Sequence, residues 1–257
     1  MIYSKSLCEK YFNLFSDCQF KKDKLHQIDF IVTKIMAHRL KYLKVEEETN
    51  VPWYVVAVIH ALEAGLKFNS HLHNGDPLTD RTIRVPSGRP KEGTPPFTWE
   101  ESAIDALVYE EFDTWEDWSI EGILYKLEGY NGWGYAEYHD INSPYLWSFS
   151  NHYQRGKYTS DGKFDREAVS NQCGAAVLIK RMVEKGFIEI YHSFLINPPK
   201  FRYADEIIPE ADILQKFLNQ YLEYPMKLQV DGWPGKKTSD AFKELTGYYL
   251  KGDPRKY

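Results

Sequence analysis

One segment constrains this chain more than any other: Val51-Pro-Trp-Tyr-Val-Val-Ala-Val-Ile-His-Ala-Leu-Glu-Ala-Gly65. Proline near its start suits the first turn of a helix, where an amide hydrogen has no partner to lose, and Gly65 marks the end. Val55, Ile59, Leu62 and Leu66 recur at helical spacing and form a core stripe. Val56, His60 and Glu63 form the neighbouring stripe, so Glu63 emerges beside apolar surface as the helix finishes.

The chain can build a core around that helix. Its 257 residues suffice for one large or two ordinary domains, and 43% of them are hydrophobic. Aromatics reach 16%, and such rings serve equally to fill cores or to stack on sugar faces in a cleft. A net charge of −5 argues against nucleic-acid binding, which rests on neutralising phosphates with Lys and Arg. No run of about 20 apolar residues is present, so membrane insertion is not expected. The first ten residues lack an apolar core followed by a small-residue cleavage site, the features of a secretory signal. Synthesis in the cytoplasm is therefore expected, with phage-type or non-classical release for any role outside it. Cys8, Cys18 and Cys173 make an odd count without metal-ligand spacing. On one helix, Cys8 and Cys18 would lie about 15 Å apart, too far for a bridge, so reduced thiols are expected.

Residues from about 5 to 45 read as helical, with Leu25, Ile28, Ile31, Ile35 and Leu40 near helical spacing. After the Glu63 helix, Asn74-Gly75 and Asp76-Pro77 are turn signals, and Thr82-Ile-Arg-Val85 suits a short strand. A small β-hairpin or extended loop is expected over 71–86, then a plain loop to Pro96. Thr98 with Glu101 predicts a capping box and a helix to about Tyr109. Further helices are expected over 116–127 and 164–185, separated by a Gly- and aromatic-rich stretch from Gly129 to Tyr158. Pro198-Pro199 and Pro209 mark a linker region, leaving a separate small unit at the end.

Chemistry concentrates first around Glu63. Cleaving a glycosidic bond needs a carboxylic acid to protonate the leaving oxygen, and a glutamate half buried against apolar groups has its pKa raised. A second carboxylate completes the pair, about 5–5.5 Å away in retaining enzymes and about 6.5–9.5 Å in inverting ones. Asp76, thirteen residues on, and Asp80 are the candidates. Spacing alone is met more often by a surface glutamate at a helix end and an aspartate serving only in a turn.

Ile59-His-Ala-Leu-Glu-Ala-Gly65 followed by a polar hairpin resembles the helix-then-hairpin active site of the lysozyme superfamily, nearest to goose-type lysozymes and soluble lytic transglycosylases. Gly129-Tyr-Asn-Gly-Trp-Gly134 is similar to the Ala-Tyr-Asn-Ala-Gly segment of the transglycosylases. The string from Phe68 to Leu78, with Arg89-Pro90, Phe97-Thr-Trp99 and Ser102-Ala103, resembles a group of bacterial and phage lysozyme-like proteins. The resemblance covers about residues 20–185. It implies that Glu63 is the general acid, that Asp76 or Asp80 positions water, and that Tyr130 and Asn131 place the substrate. One departure is Ala64, where transglycosylases carry a serine after the catalytic glutamate.

Trp133 and Tyr135 are candidate sugar-subsite residues, as are Tyr145, Trp147 and Tyr153, each of which also suits a core. His71 and His73 would hydrogen-bond the hairpin or contact glycan. His60, His71 and His73 are residue types that bind zinc, but His-Ala-Leu-Glu is not the His-Glu-x-x-His of zinc peptidases, so no metal and no cofactor are expected.

At the C-terminus, Leu214-Gln-Lys-Phe-Leu-Asn219, Leu228-Gln-Val-Asp-Gly-Trp-Pro-Gly235 and Thr238-Ser-Asp-Ala-Phe242 resemble the small three-helix peptidoglycan-binding domain. Leu214, Phe217, Leu218, Ala241 and Phe242 would form its minimal core. The expectation is thus a mainly α protein. Residues 1–190 form a lysozyme-like helical domain with a small β-hairpin, 191–207 a linker, and 208–257 a three-helix peptidoglycan-binding domain. It would act as a monomer on the glycan strands of peptidoglycan. The cleaved bond would be the β-1,4 link between N-acetylmuramic acid and N-acetylglucosamine. The alternatives are a lytic transglycosylase giving 1,6-anhydro products, a chitinase-like glycosidase, or a non-catalytic wall-binding protein.

Overall fold

The computed structural model describes residues 1–160, 162–193, 201–208, 210–223 and 227–255. The chain divides into two compact units, Met1–Ile196 and Asn197–Tyr257. It is mainly helical with one two-stranded antiparallel hairpin among the described residues, none of whose helices is long and apolar enough to cross a membrane. The Pro198-Pro199 and Pro209 linker markers lie outside the described residues.

The first unit is assembled around helix α4 (Trp53–Glu63). Val55 to His60 are fully buried on every side, which is what a helix apolar all round requires. Each such Val or Ile contributes about 1.5–3 kcal/mol by leaving water. Helices α2 (Leu25–Ala37), α3 (Arg39–Thr49) and α8 (Ala175–Glu184) pack directly on it. Helix α5 (Trp99–Tyr109) lies against α3, α1 (Lys5–Ser16) against α6 (Ile120–Asn131), and the short α7 (Pro144–Trp147) against α6 and α8.

The local signals explain most starts and stops. Thr98 Oγ1 accepts from Glu101 N at 3.2 Å while the Glu101 carboxylate accepts from Thr98 N at 2.7 Å, the capping box the sequence predicts. Ser119 caps α6 by accepting from Gly122 N, so that helix begins at Ile120 rather than 116 and runs on to Asn131. The expected helix over 5–45 is three helices, broken after Ser16 and at His38. Those breaks turn Ile28 and Ile35 inward but leave Leu25 and Leu40 exposed. Cys8 in α1, Cys18 beyond it, and Cys173 are all free thiols and buried.

Of the two forms expected over 71–86, hairpin or loop, the structure has the loop. The hairpin joins β1 (Lys157–Ser160) to β2 (Lys163–Asp165) instead, pairing Tyr158 with Phe164. Thr82–Val85 forms no strand because the Ile83 and Arg84 amides donate to the Asp76 carboxylate instead of to a neighbouring strand. Nor is 164–185 one helix. Asp165 Oδ1 accepts from the amides of Glu167 and Ala168, a local turn that competes with helix, and α8 starts only at Ala175.

In the second unit, α9 (Ala211–Tyr221) packs on α10 (Lys236–Thr246) over Leu214, Leu218, Leu222, Ala241 and Leu250. Two helices, not three, are present among its described residues. Phe217 is 53% exposed rather than core, because it shares the outer face of α9 with Tyr221. Gln215 sits at the centre, accepting from the Asp231 and Gly232 amides and donating to Asp231 Oδ1 and the Trp233 carbonyl.

Candidate active site

Glu63 is the last residue of α4 and partly buried. The helix ends there because Ala64 and Leu66 both donate back to the His60 carbonyl, with Gly65 and Leu66 in left-handed backbone. Gln172 donates its side-chain amide to the Leu62 carbonyl and so ties off the same end.

Among the described residues the Glu63 carboxyl has one direct side-chain partner: Tyr145 Oη donates to Oε1 at 2.9 Å. Burial, and then the charge of Glu110, raise the Glu63 pKa from its ordinary 4.5 to about 7, against the Tyr145 hydrogen bond, which lowers it. With Oε1 accepting from Tyr145, the proton belongs on Oε2. Tyr145 is itself held protonated by burial and by the charges of Glu63, Tyr130 and Glu110, so it keeps the proton it donates to Glu63. Burial and the charges of Glu63 and Glu110 likewise keep Tyr130 protonated. Glu63 from α4, Glu110 capping α5, Tyr130 near the end of α6 and Tyr145 in α7 therefore act on one another electrostatically, and Glu63 and Tyr145 are in direct contact.

The other sequence candidates separate into two sets. Asn131 and Tyr135 line an open pocket of about 540 Å³ with Gly132, Gly134 and Tyr158 of the hairpin. Trp133 does not join them: it lies by Gly129 and Tyr125 and lines a small crevice with Lys10 and Glu128 on the α1 side.

Asp76 is close to Glu63 in the fold but is spent on its own loop. Gly75, at φ +75°, brings this loop so near the helix end that a Cβ there would lie 3.4 Å from the Glu63 carbonyl. The Asp76 carboxylate accepts from Ile83 N at 2.9 Å, Arg84 N at 3.0 Å and Arg84 Nε at 2.6 Å. Burial alone would raise its pKa, but these donors hold it below the usual carboxylate range. Asp80 is exposed, with Oδ1 on the Arg81 amide.

His71 and His73 are turned inward and present no ring to a ligand. His71 Nε2 donates to the Asp80 carbonyl at 2.7 Å, which leaves Nδ1 to accept from Ser102 Oγ at 2.8 Å. His73 Nε2 meets Asp105 Oδ2 at 2.7 Å, and Arg89 clamps the same carboxylate through two nitrogens. Both rings tie the loop to α5. His60 is bonded to Tyr42 and the Lys67 carbonyl. Among the described residues no group of three or more His, Cys, Asp or Glu side chains is placed to hold a metal ion.

Sequence reasoning missed Glu110 and the pairing of Tyr145 with Glu63. Ser143-Pro144, a capping serine before an N1 proline, marks the start of α7, but nothing local ties Tyr145 to a residue 82 positions away. Comparison with family profiles, with curated proteins and with solved structures finds no match to this chain.

Proposed function

We propose that this chain is a peptidoglycan-cleaving enzyme of lysozyme-like fold. It breaks the β-1,4 bond between N-acetylmuramic acid and N-acetylglucosamine with Glu63 as general acid. The observation that carries this reading is a helix-end glutamate whose pKa is pushed up to about 7 by burial and whose Oε1 is held by Tyr145. Such a group still carries a proton near neutrality and can pass it from Oε2 to the leaving oxygen of a sugar. Asn131 and Tyr135, in the pocket beside the hairpin, would seat the strand. The lysozyme-superfamily resemblance of residues 59–65 and 129–134 supports the same assignment. The C-terminal unit would keep the enzyme on an insoluble polymer by raising its effective concentration there.

One observation favours a second reading, that of a lytic transglycosylase. Asp76, the carboxylate offered for water positioning, is committed to Ile83 and Arg84. In a single-acid route Glu63 protonates the leaving oxygen and then takes the proton of the muramoyl 6-hydroxyl as the 1,6-anhydro ring closes. In the hydrolytic route Glu110, whose charge acts on Glu63, would be the carboxylate that orients water. Mass spectrometry of sacculus digests tests both together. Wild type is expected to release glycan fragments, with reducing ends from hydrolysis and anhydro ends from ring closure. Glu63→Gln should slow release by about 10²–10⁴-fold. Full activity in that variant would sink the proposal.

A further inference from the structure

The C-terminal unit carries a groove of about 610 Å³ that the chemistry at Glu63 does not use. Leu228 and Ala241 give it apolar lining, and Trp233 stands in it 46% exposed. Gly235 makes room for that ring: a Cβ there would lie 2.8 Å from Trp233 Cδ1, so no larger residue lets the indole lie against the backbone. One face of the ring is thereby fixed by the protein, and the ring remains available to a ligand.

The charges around it are unbalanced. Lys227, Lys236 and Lys237 line the groove, and none of them is in an ion pair among the described residues. Of the two acids present, Asp240 is already paired with Arg255 at 2.6 Å. Asp231 Oδ1 is occupied by the Trp233 amide and by Gln215. Three ammonium groups therefore face only one acid, Asp231, that is not already matched by a cation in an ion pair among the described residues, and its charge acts on Lys237. A neutral sugar would stack on the indole but leave this excess without a purpose. An anionic ligand with an apolar portion uses both features.

We propose that this groove binds a short acidic peptide, with its carboxylates on the lysines and an apolar side chain against Trp233. The source of the peptide, and only that, rests on the wall-cleaving reading: it would be the carboxylate-bearing peptide of the wall polymer, not its sugar backbone. The test is calorimetric titration of the full-length Glu63→Gln chain. The probes are a short peptide with two free carboxylates, its bis-amide, and an N-acetylglucosamine oligomer. The free peptide should bind, more weakly as salt rises. The bis-amide should bind about tenfold more weakly, as should the free peptide to the Lys236→Ala/Lys237→Ala double variant. Trp233→Ala should also weaken binding. Circular dichroism matching wild type shows that the variants fold, since all three side chains lie at the surface. Equal affinity for peptide and bis-amide, an unaffected lysine variant, displacement of the peptide by the sugar oligomer, or no binding at all would each overturn the proposal. Glycan release by the otherwise wild-type lysine variant, measured on soluble strands, judges the Glu63 reading separately.

Discussion

Glu63 is useful to a leaving group only while it holds a proton, and two neighbours act on that proton in opposite directions. Burial sets the raised value, the Glu110 charge adds to it, and the Tyr145 hydroxyl works against it by favouring the carboxylate. Removing the donor in Tyr145→Phe should therefore move the alkaline limb of the pH–activity profile upward. Removing the repelling charge in Glu110→Gln should move the same limb downward. Initial rates of sacculus lysis across pH check both, and shifts of the same sign would show that these residues do not act through Glu63. Glu110→Gln has a second readout: it should lower the rate at its own optimum if Glu110 orients water, and leave that rate alone if ring closure is intramolecular. At this scale the sequence exposes Glu63, because helical spacing places it at the end of an apolar segment. Its partners come from α5, α6 and α7, and only the folded core decides which of the chain's many tyrosines and acids arrive there.

Elements are legible where their stop and start signals are local. The apolar run of α4 and the Thr98–Glu101 box each act within a few residues, and the helices follow them. The segment from Ser70 to Pro96 fails that test. Its strand-like Thr82–Val85 has Ile83 83% and Val85 89% exposed, because the backbone is held by Asp76 from one side rather than by a strand. That makes Asp76 a clamp for the element, with His71–Ser102 and His73–Asp105–Arg89 fastening the same loop to α5. Asp76→Asn keeps the size of the side chain but removes the charge that the Arg84 guanidinium meets. It should cost about 1–2 kcal/mol, with the high exposure of Arg84 holding the figure down. In a unit of this size that is a few degrees in Tm. The loss of activity should be far smaller than for Glu63→Gln. Unchanged thermal unfolding with abolished lysis would return Asp76 to the role of water-positioning base.

At the scale of the whole molecule, two buried glutamates make stability depend on pH in one direction. Glu63 and Glu128, the latter accepting from Tyr11 Oη at 3.0 Å, are both raised by burial from 4.5 to about 7. Between those values the folded chain keeps protons that the unfolded chain has released. Unfolding is then favoured as pH rises, and the loss is complete once pH passes the folded value. Each group contributes on the order of 2–3 kcal/mol across that window. The carboxylates held low by donors, Asp29 on Arg181 and Asp76 on its loop, act in a more acidic range. Buried His60, lowered from 6.5 to about 4, and His73, also lowered, bind protons only on unfolding and so oppose the glutamates below about 6.5. Six of the seven tryptophans lie in the first unit, so their fluorescence follows its unfolding apart from the C-terminal unit. Urea midpoints measured that way should fall as pH rises through about 7, where the opposing contribution of the histidines fades. Glu128→Gln, which still accepts from Tyr11 but has nothing to titrate, should flatten the fall by about half and leave lysis near wild type. Glu63→Gln should flatten it to a similar degree while abolishing lysis. That contrast separates the two glutamates by function, although burial treats them alike. If neither substitution changed the slope, the fold would not be holding these protons, and Glu63 would lose its claim as the acid.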